Sequence, residues 1–154
     1  MNLFNKKPEE YNDFNGHVLE QWKTCIEMAD KISERRTNIN NFFLTLNCAL
    51  VTVSTLFTYE KEIIVSIIGI VISVLWIQSI VNCKKMNSIK FKVINELEKE
   101  LPSQPYIYEW FILGQGADKK KYRRFTDIEK SVPKIFIVIY IFLLVYNIFN
   151  LIKG

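Results

Sequence analysis

Residues 63–83 read IIVSIIGIVISVLWIQSIVNC, a run with no charged side chain. At about 1.5 Å per residue, a helix of this length spans about 30 Å, the thickness of a bilayer's hydrocarbon core. Two further stretches are free of charge, Phe42 to Tyr59 and Ile135 to Ile152. The pattern therefore predicts an all-α integral membrane protein with three transmembrane helices. It divides the chain into a cytoplasmic amphipathic helix (1–41), a transmembrane hairpin (42–83, spans 42–59 and 63–83), a cytoplasmic helical, aromatic and basic segment (84–134), and a third span with a short outer tail (135–154).

The charges set the expected orientation. Six Lys and Arg precede the first stretch, one lies in Glu60-Lys61-Glu62, twelve fall between the second and third stretches, and one follows the third. An excess of cations marks the cytoplasmic side of a membrane protein. The N-terminus is expected inside and the C-terminus outside, in a cytoplasmic membrane. The first forty residues are polar, so no cleavable signal peptide is expected and the first span would be its own insertion signal. Cys25, Cys48 and Cys83 have no paired spacing and are expected to be free thiols. The net charge of +4 arises from clusters beside membrane ends, Lys31, Arg35 and Arg36 on one side and Lys84 and Lys85 on the other. That placement points to anionic lipid rather than nucleic acid.

Ahead of the first stretch, Val18, Trp22, Cys25, Ala29 and Ile32 recur at steps of four and three, the narrow seam of a helix packed on another helix. The first stretch itself is polar along one side, with Asn41, Thr45, Cys48, Thr52 and Thr55 at the same spacing and Asn47, Ser54 and Thr58 in a flanking row. Such groups need a partner helix or water inside a bilayer, which makes the stripe a candidate for interhelical hydrogen bonding or for pore lining. Glu60-Lys61-Glu62 forms the turn of a helical hairpin. On the second span Ser66, Gly69 and Ser73 make a small-residue groove for helix packing.

After Cys83 the spacing of Met86, Ile89, Val93, Ile94, Leu97 and Leu101 continues a helix until Pro102 stops it, with Lys90, Asn95, Glu98 and Lys99 on its solvated face. Tyr106, Tyr108, Trp110 and Phe111 follow, suited to the headgroup level or to a small core. The run Lys119, Lys120, Lys121, Arg123 and Arg124, together with Trp110, is the candidate site for lipid headgroups or a cytoplasmic partner. Thr126 with Glu129 reads as a capping box opening the third helix, and Pro133 as a kink near its start. His17 is expected to be a surface residue. Zinc-ligand spacing, nucleotide-binding glycine loops, nucleophile elbows and ionisable residues inside the spans are all lacking from the sequence, so no enzymatic activity, catalytic residue, metal or cofactor is expected.

Several blocks carry a family resemblance: Glu20 to Lys23, Met28 to Arg36, Asn41 to Asn47, Lys90 to Glu98, Leu101 through Pro105, Glu109-Trp110, and Glu129 through Pro133. In combination they resemble the RipA-like family of small octameric bacterial membrane proteins. The resemblance implies a bacterial inner-membrane location and a ring-like homo-oligomer, an octamer. The hairpin with its cytoplasmic helices also resembles, more distantly, the SLATT effectors of bacterial defence, which implies a pore-forming role. The expected function is thus a homo-oligomeric channel or membrane-perturbing assembly. The alternatives are a non-conducting scaffold that binds anionic lipid or an unidentified cytoplasmic regulator, and a pore-forming defence effector.

Overall fold

The computed structural model describes residues 3, 4, 9, 12–117 and 125–153. Its elements are α1 (Phe14–Ser54), α2 (Tyr59–Glu98), α3 (Pro105–Ile112), a 3₁₀ turn (Gly114–Gly116), α4 (Phe125–Glu129) and α5 (Ser131–Lys153). The described residues form no strand. They fall into two compact units, Met1–Glu34 with Cys83–Arg124, and Arg35–Asn82 with Phe125–Gly154; α1 and α2 each contribute to both.

Among the described residues two helical runs, not three, are long and apolar enough to cross a membrane: Tyr59–Glu98 and Phe125–Lys153, each reaching a mean hydropathy of 2.5. The expected first span falls short because α1 ends at Ser54. From Phe42 to that end the helix extends only about 20 Å at 1.5 Å per residue, against a core of about 30 Å. Leu56 and Phe57, which the expected span included, lie in a turn whose amides bond back to Val53 and Ser54. The hairpin connection moves with it. Glu60, Lys61 and Glu62 are not a turn but the start of α2, where the two carboxylates favour the positive end of the helix dipole.

In the unit of residues 1–34 and 83–124, the seam of α1 is covered, with Val18 and Ala29 buried and Trp22, Cys25 and Ile32 half-buried. Cys83, Ile94 and Leu97 are the buried apolar residues of α2 here. Tyr106 of α3 is in ring contact with Trp22 (6.0 Å) and, edge to face, with Phe91 (5.8 Å). Glu98, expected on a solvated face, is completely buried. Its carboxylate accepts the backbone N–H groups of Tyr106 and Ile107, both at 3.1 Å, and so satisfies the otherwise orphaned amides at the start of α3. Burial, followed by the negative charges of Asp30, Glu109 and Glu98, holds the Tyr106 hydroxyl above its ordinary pKa. At the other end of α3, Gly114, Gln115 and Gly116 take φ values of 68°, 55° and 71° in succession, a left-handed run that ends the helix.

The other unit is built around Trp76. Its ring stacks on Phe43 at 5.9 Å and lies 6.3 Å from Phe136, which in turn lies 6.4 Å from Tyr140. Gly69 lets α2 and α5 approach closely, since a Cβ there would overlap the Tyr140 ring. The expected capping box is absent: Thr126 and Glu129 both lie within α4, and their side chains bond to α1 instead. The helix breaks between α4 and α5 because Pro133 has no N–H for the Glu129 carbonyl and its ring crowds that position. The Ser131 hydroxyl bonds the Asp127 and Ile128 carbonyls at the break.

Candidate functional site: the two polar rows of α1

In the second half of α1, polar residues occupy two rows. Asn40, Asn47 and Ser54 follow each other at intervals of seven and face α2, α4 and α5. Ser73 and Ser66 of α2 repeat the interval, as do Tyr140 and Asn147 of α5. Asn47, Ser54, Ser66, Ser73, Tyr140 and Asn147 all have 1% exposure or less. Hydrogen bonds between helices set the register of two polar layers, and the shared interval places a third.

The first layer ties α1 to α2 and α4. Asn40 Oδ1 accepts the Trp76 indole N–H at 2.8 Å, and Asn40 Nδ2 donates to Glu129 Oε1 at 2.9 Å. The Arg36 guanidinium pairs with Glu129 Oε2 and donates to Thr126 Oγ1 at 3.0 Å. Both ends of this ion pair are largely withdrawn from water, with side-chain exposures of 16% and 18%. The second layer centres on Asn47: its Nδ2 donates to the Phe43 carbonyl (2.8 Å), its Oδ1 accepts from Ser73 (3.1 Å), and its backbone carbonyl accepts from Tyr140 (3.2 Å). The third layer has Ser54, bonded to the Val51 carbonyl, and Asn147, whose Nδ2 donates to Leu143. Ser66 Oγ and Asn147 Oδ1 have no hydrogen-bond partner among the described residues.

The second row is the predicted stripe, Asn41, Thr45, Cys48, Thr52 and Thr55. It lies about 120° around the helix from the Asn47 row, at about 100° per residue. All five residues are exposed, and none is covered by α2 or α5. Thr52 and Thr55 donate their hydroxyls to the carbonyls of Cys48 and Thr52, at 2.9 and 2.7 Å. Such back-bonds make a threonine tolerable beside apolar neighbours. Asn41 and Thr45 make no side-chain hydrogen bond among the described residues, so the demand for an outside partner is strongest there.

Of the other predicted positions, Ser66, Gly69 and Ser73 line the buried face of α2. Trp110 and His17 are exposed. Lys119, Lys120, Lys121, Arg123 and Arg124 lie outside the described residues. Cys25, Cys48 and Cys83 are free thiols, half-buried, exposed and buried respectively. The Arg36–Glu129 pair, Asn40, Tyr140, Asn147 and Glu98 were not singled out as site residues by the sequence. The signal for Asn40, Tyr140 and Asn147 was the heptad interval shared by Asn40, Asn47 and Ser54 and repeated by Tyr140 and Asn147; Arg36, Glu129 and Glu98 lie off that interval.

The profile of the octameric membrane protein family (8xMP) matches residues 19–149, nearly the whole chain and all of both polar rows. The chain belongs to that family. Its two apolar helical runs agree with membership of a family of membrane proteins. No curated protein and no solved structure matches the chain.

Proposed function

We propose that the protein is a ring-like homo-oligomer of the bacterial cytoplasmic membrane, an octamer, in which the Asn41-to-Thr55 row of α1 faces neighbouring subunits and a central aqueous axis. The assembly acts as a channel or perturbs the membrane, without enzymatic activity. The carrying observation is the contrast on one helix. The Asn47 row is satisfied within the chain, whereas a second polar row, on a half of α1 too polar to face lipid alone, has no cover among the described residues. In hydrocarbon that row requires protein or water. The orientation follows the cation excess, with the N-terminus inside. The narrower RipA-like affiliation rests on the sequence blocks from Glu20 to Pro133.

Two measurements test this. The mass of the purified particle in detergent should be that of eight chains, and a monomer would remove the basis of the ring. Liposomes carrying the protein should release ions, and no flux under any ligand or voltage would sink the channel while leaving the assembly intact.

A second reading, a non-conducting scaffold for anionic lipid or a cytoplasmic regulator, draws on the exposed aromatic side chains of α3. Neutralising Lys119, Lys120, Lys121, Arg123 and Arg124 separates the two. A scaffold loses lipid or partner binding, whereas a channel keeps assembly and conduction. A pore-forming role in defence is the channel reading placed in one biological setting, and it stands or falls with the flux measurement.

A further inference from the structure

The α3 helix is pinned at its start and bare along its length. Tyr106 and Ile107 are held by Glu98, yet Tyr108, Phe111 and Ile112 are 65%, 68% and 59% exposed. Beside them is a groove of about 580 Å³ lined by Leu101, Pro102, Ile107, Tyr108, Trp110 and Phe111. Asn95 also lines it, and its Oδ1 has no hydrogen-bond partner among the described residues. Glu109 is exposed on the same helix. The surface is therefore aromatic, with acceptors at its edge.

A protein surface of complementary chemistry exists on the chain itself. The outward face of α2 carries Met86 and Ile89, 48% and 52% exposed, flanked by the exposed Lys85 and Lys92. Apolar knobs between cations match an aromatic groove beside an exposed carboxylate, Glu109. A closed ring also requires each subunit to present two different, complementary faces.

We propose that the α3 groove of one subunit receives Met86 and Ile89 of the next, with Lys85 and Lys92 set against Glu109. This heterologous contact makes the cytoplasmic unit a second belt of the ring. It rests on the homo-oligomer proposed above and adds the two surfaces that meet.

The test uses two differently tagged full-length chains expressed together in a Cys25→Ser, Cys48→Ser, Cys83→Ser background, one carrying Ile89→Cys and the other Phe111→Cys. After oxidation in membranes, the expected product is the disulfide-linked pair bearing both tags, with no pair formed by either chain alone. Particle mass is measured on the same sample. An oligomeric particle with no mixed pair, or with Phe111→Cys chains linked to each other, overturns the contact and leaves the oligomer standing. A monomeric particle overturns both. As a second arm, Glu109→Lys should shift the particle to smaller mass, and Lys85→Glu with Lys92→Glu added to it should restore the mass. Failure to restore it contradicts the pairing. A photo-reactive phenylalanine analogue in place of Phe111 that labels lipid instead of a second chain overturns the proposal in favour of the bilayer.

Discussion

The two polar rows of α1 share a helix, a length and a residue chemistry, yet one is wholly enclosed and the other wholly open. The enclosed row owes its state to complementary groups on α2 and α5: Ser73 for Asn47, Trp76 for Asn40, and a glycine that admits Tyr140. The open row meets no other helix among the described residues, and its Thr52 and Thr55 hydroxyls turn back to their own backbone. Polar residues on a membrane-protein helix are thus not one category. An intramolecular partner makes them structural, and the lack of one marks a surface whose partner is another subunit or water.

The comparison can be broken from either side. The largest effect is expected at the first layer. Glu129→Ala strands a largely buried guanidinium and should cost about 3 kcal/mol, seen as a lower midpoint in thermal unfolding of the purified particle. Next comes Gly69→Ala, which forces the enclosed Tyr140 ring to move and should cost about 2 kcal/mol. Adding Tyr140→Leu should recover part of that loss, and no recovery would mean the clash is not the cause. Asn47→Leu should cost about 1 kcal/mol, the usual scale of an interhelical hydrogen bond in a membrane protein. In the open row, Thr45→Val with Thr52→Val should change unfolding by less than about 0.5 kcal/mol while altering ion flux or particle mass. If these changes unfold the chain as severely as Asn47→Leu does, the rows are not distinct.

The smallest effect concerns the unit of residues 1–34 and 83–124. Because the folded protein holds the Tyr106 phenol above its ordinary value of 10.0, the unfolded chain ionises first as pH rises. The stability associated with the neutral phenol is complete below that pH and is lost above it, up to the folded value. Tyr106→Phe should flatten the alkaline limb of a stability–pH curve, and an unchanged limb would assign the loss to other groups.

Much of this was legible in sequence. The apolar run at 63–83, the α1 seam and the Ser66, Gly69 and Ser73 groove all depend on periodicity, which a helix converts directly into a face. The end of α1 was not legible, because Thr55 to Thr58 carry no proline, glycine or charge to stop a helix. Counting them as helix turned the polar second half of α1 into a third span. Glu98 was misassigned for a related reason. Helical spacing places it beside lysines, and only the return of α3 over the end of α2 buries it. Thr126 and Glu129 have the spacing of a capping box, but Arg36 and Asn40, about ninety residues away, claim their side chains.

Cys48, a native thiol in the middle of the open row, gives the most direct test. In membranes containing the Cys25→Ser, Cys83→Ser protein, a bifunctional maleimide should join Cys48 of one subunit to Cys48 of another, giving a covalent dimer. A thiol buried between helices of its own chain, or one facing lipid on an isolated subunit, would leave monomer alone, and that result would contradict the assignment of this row to the assembly.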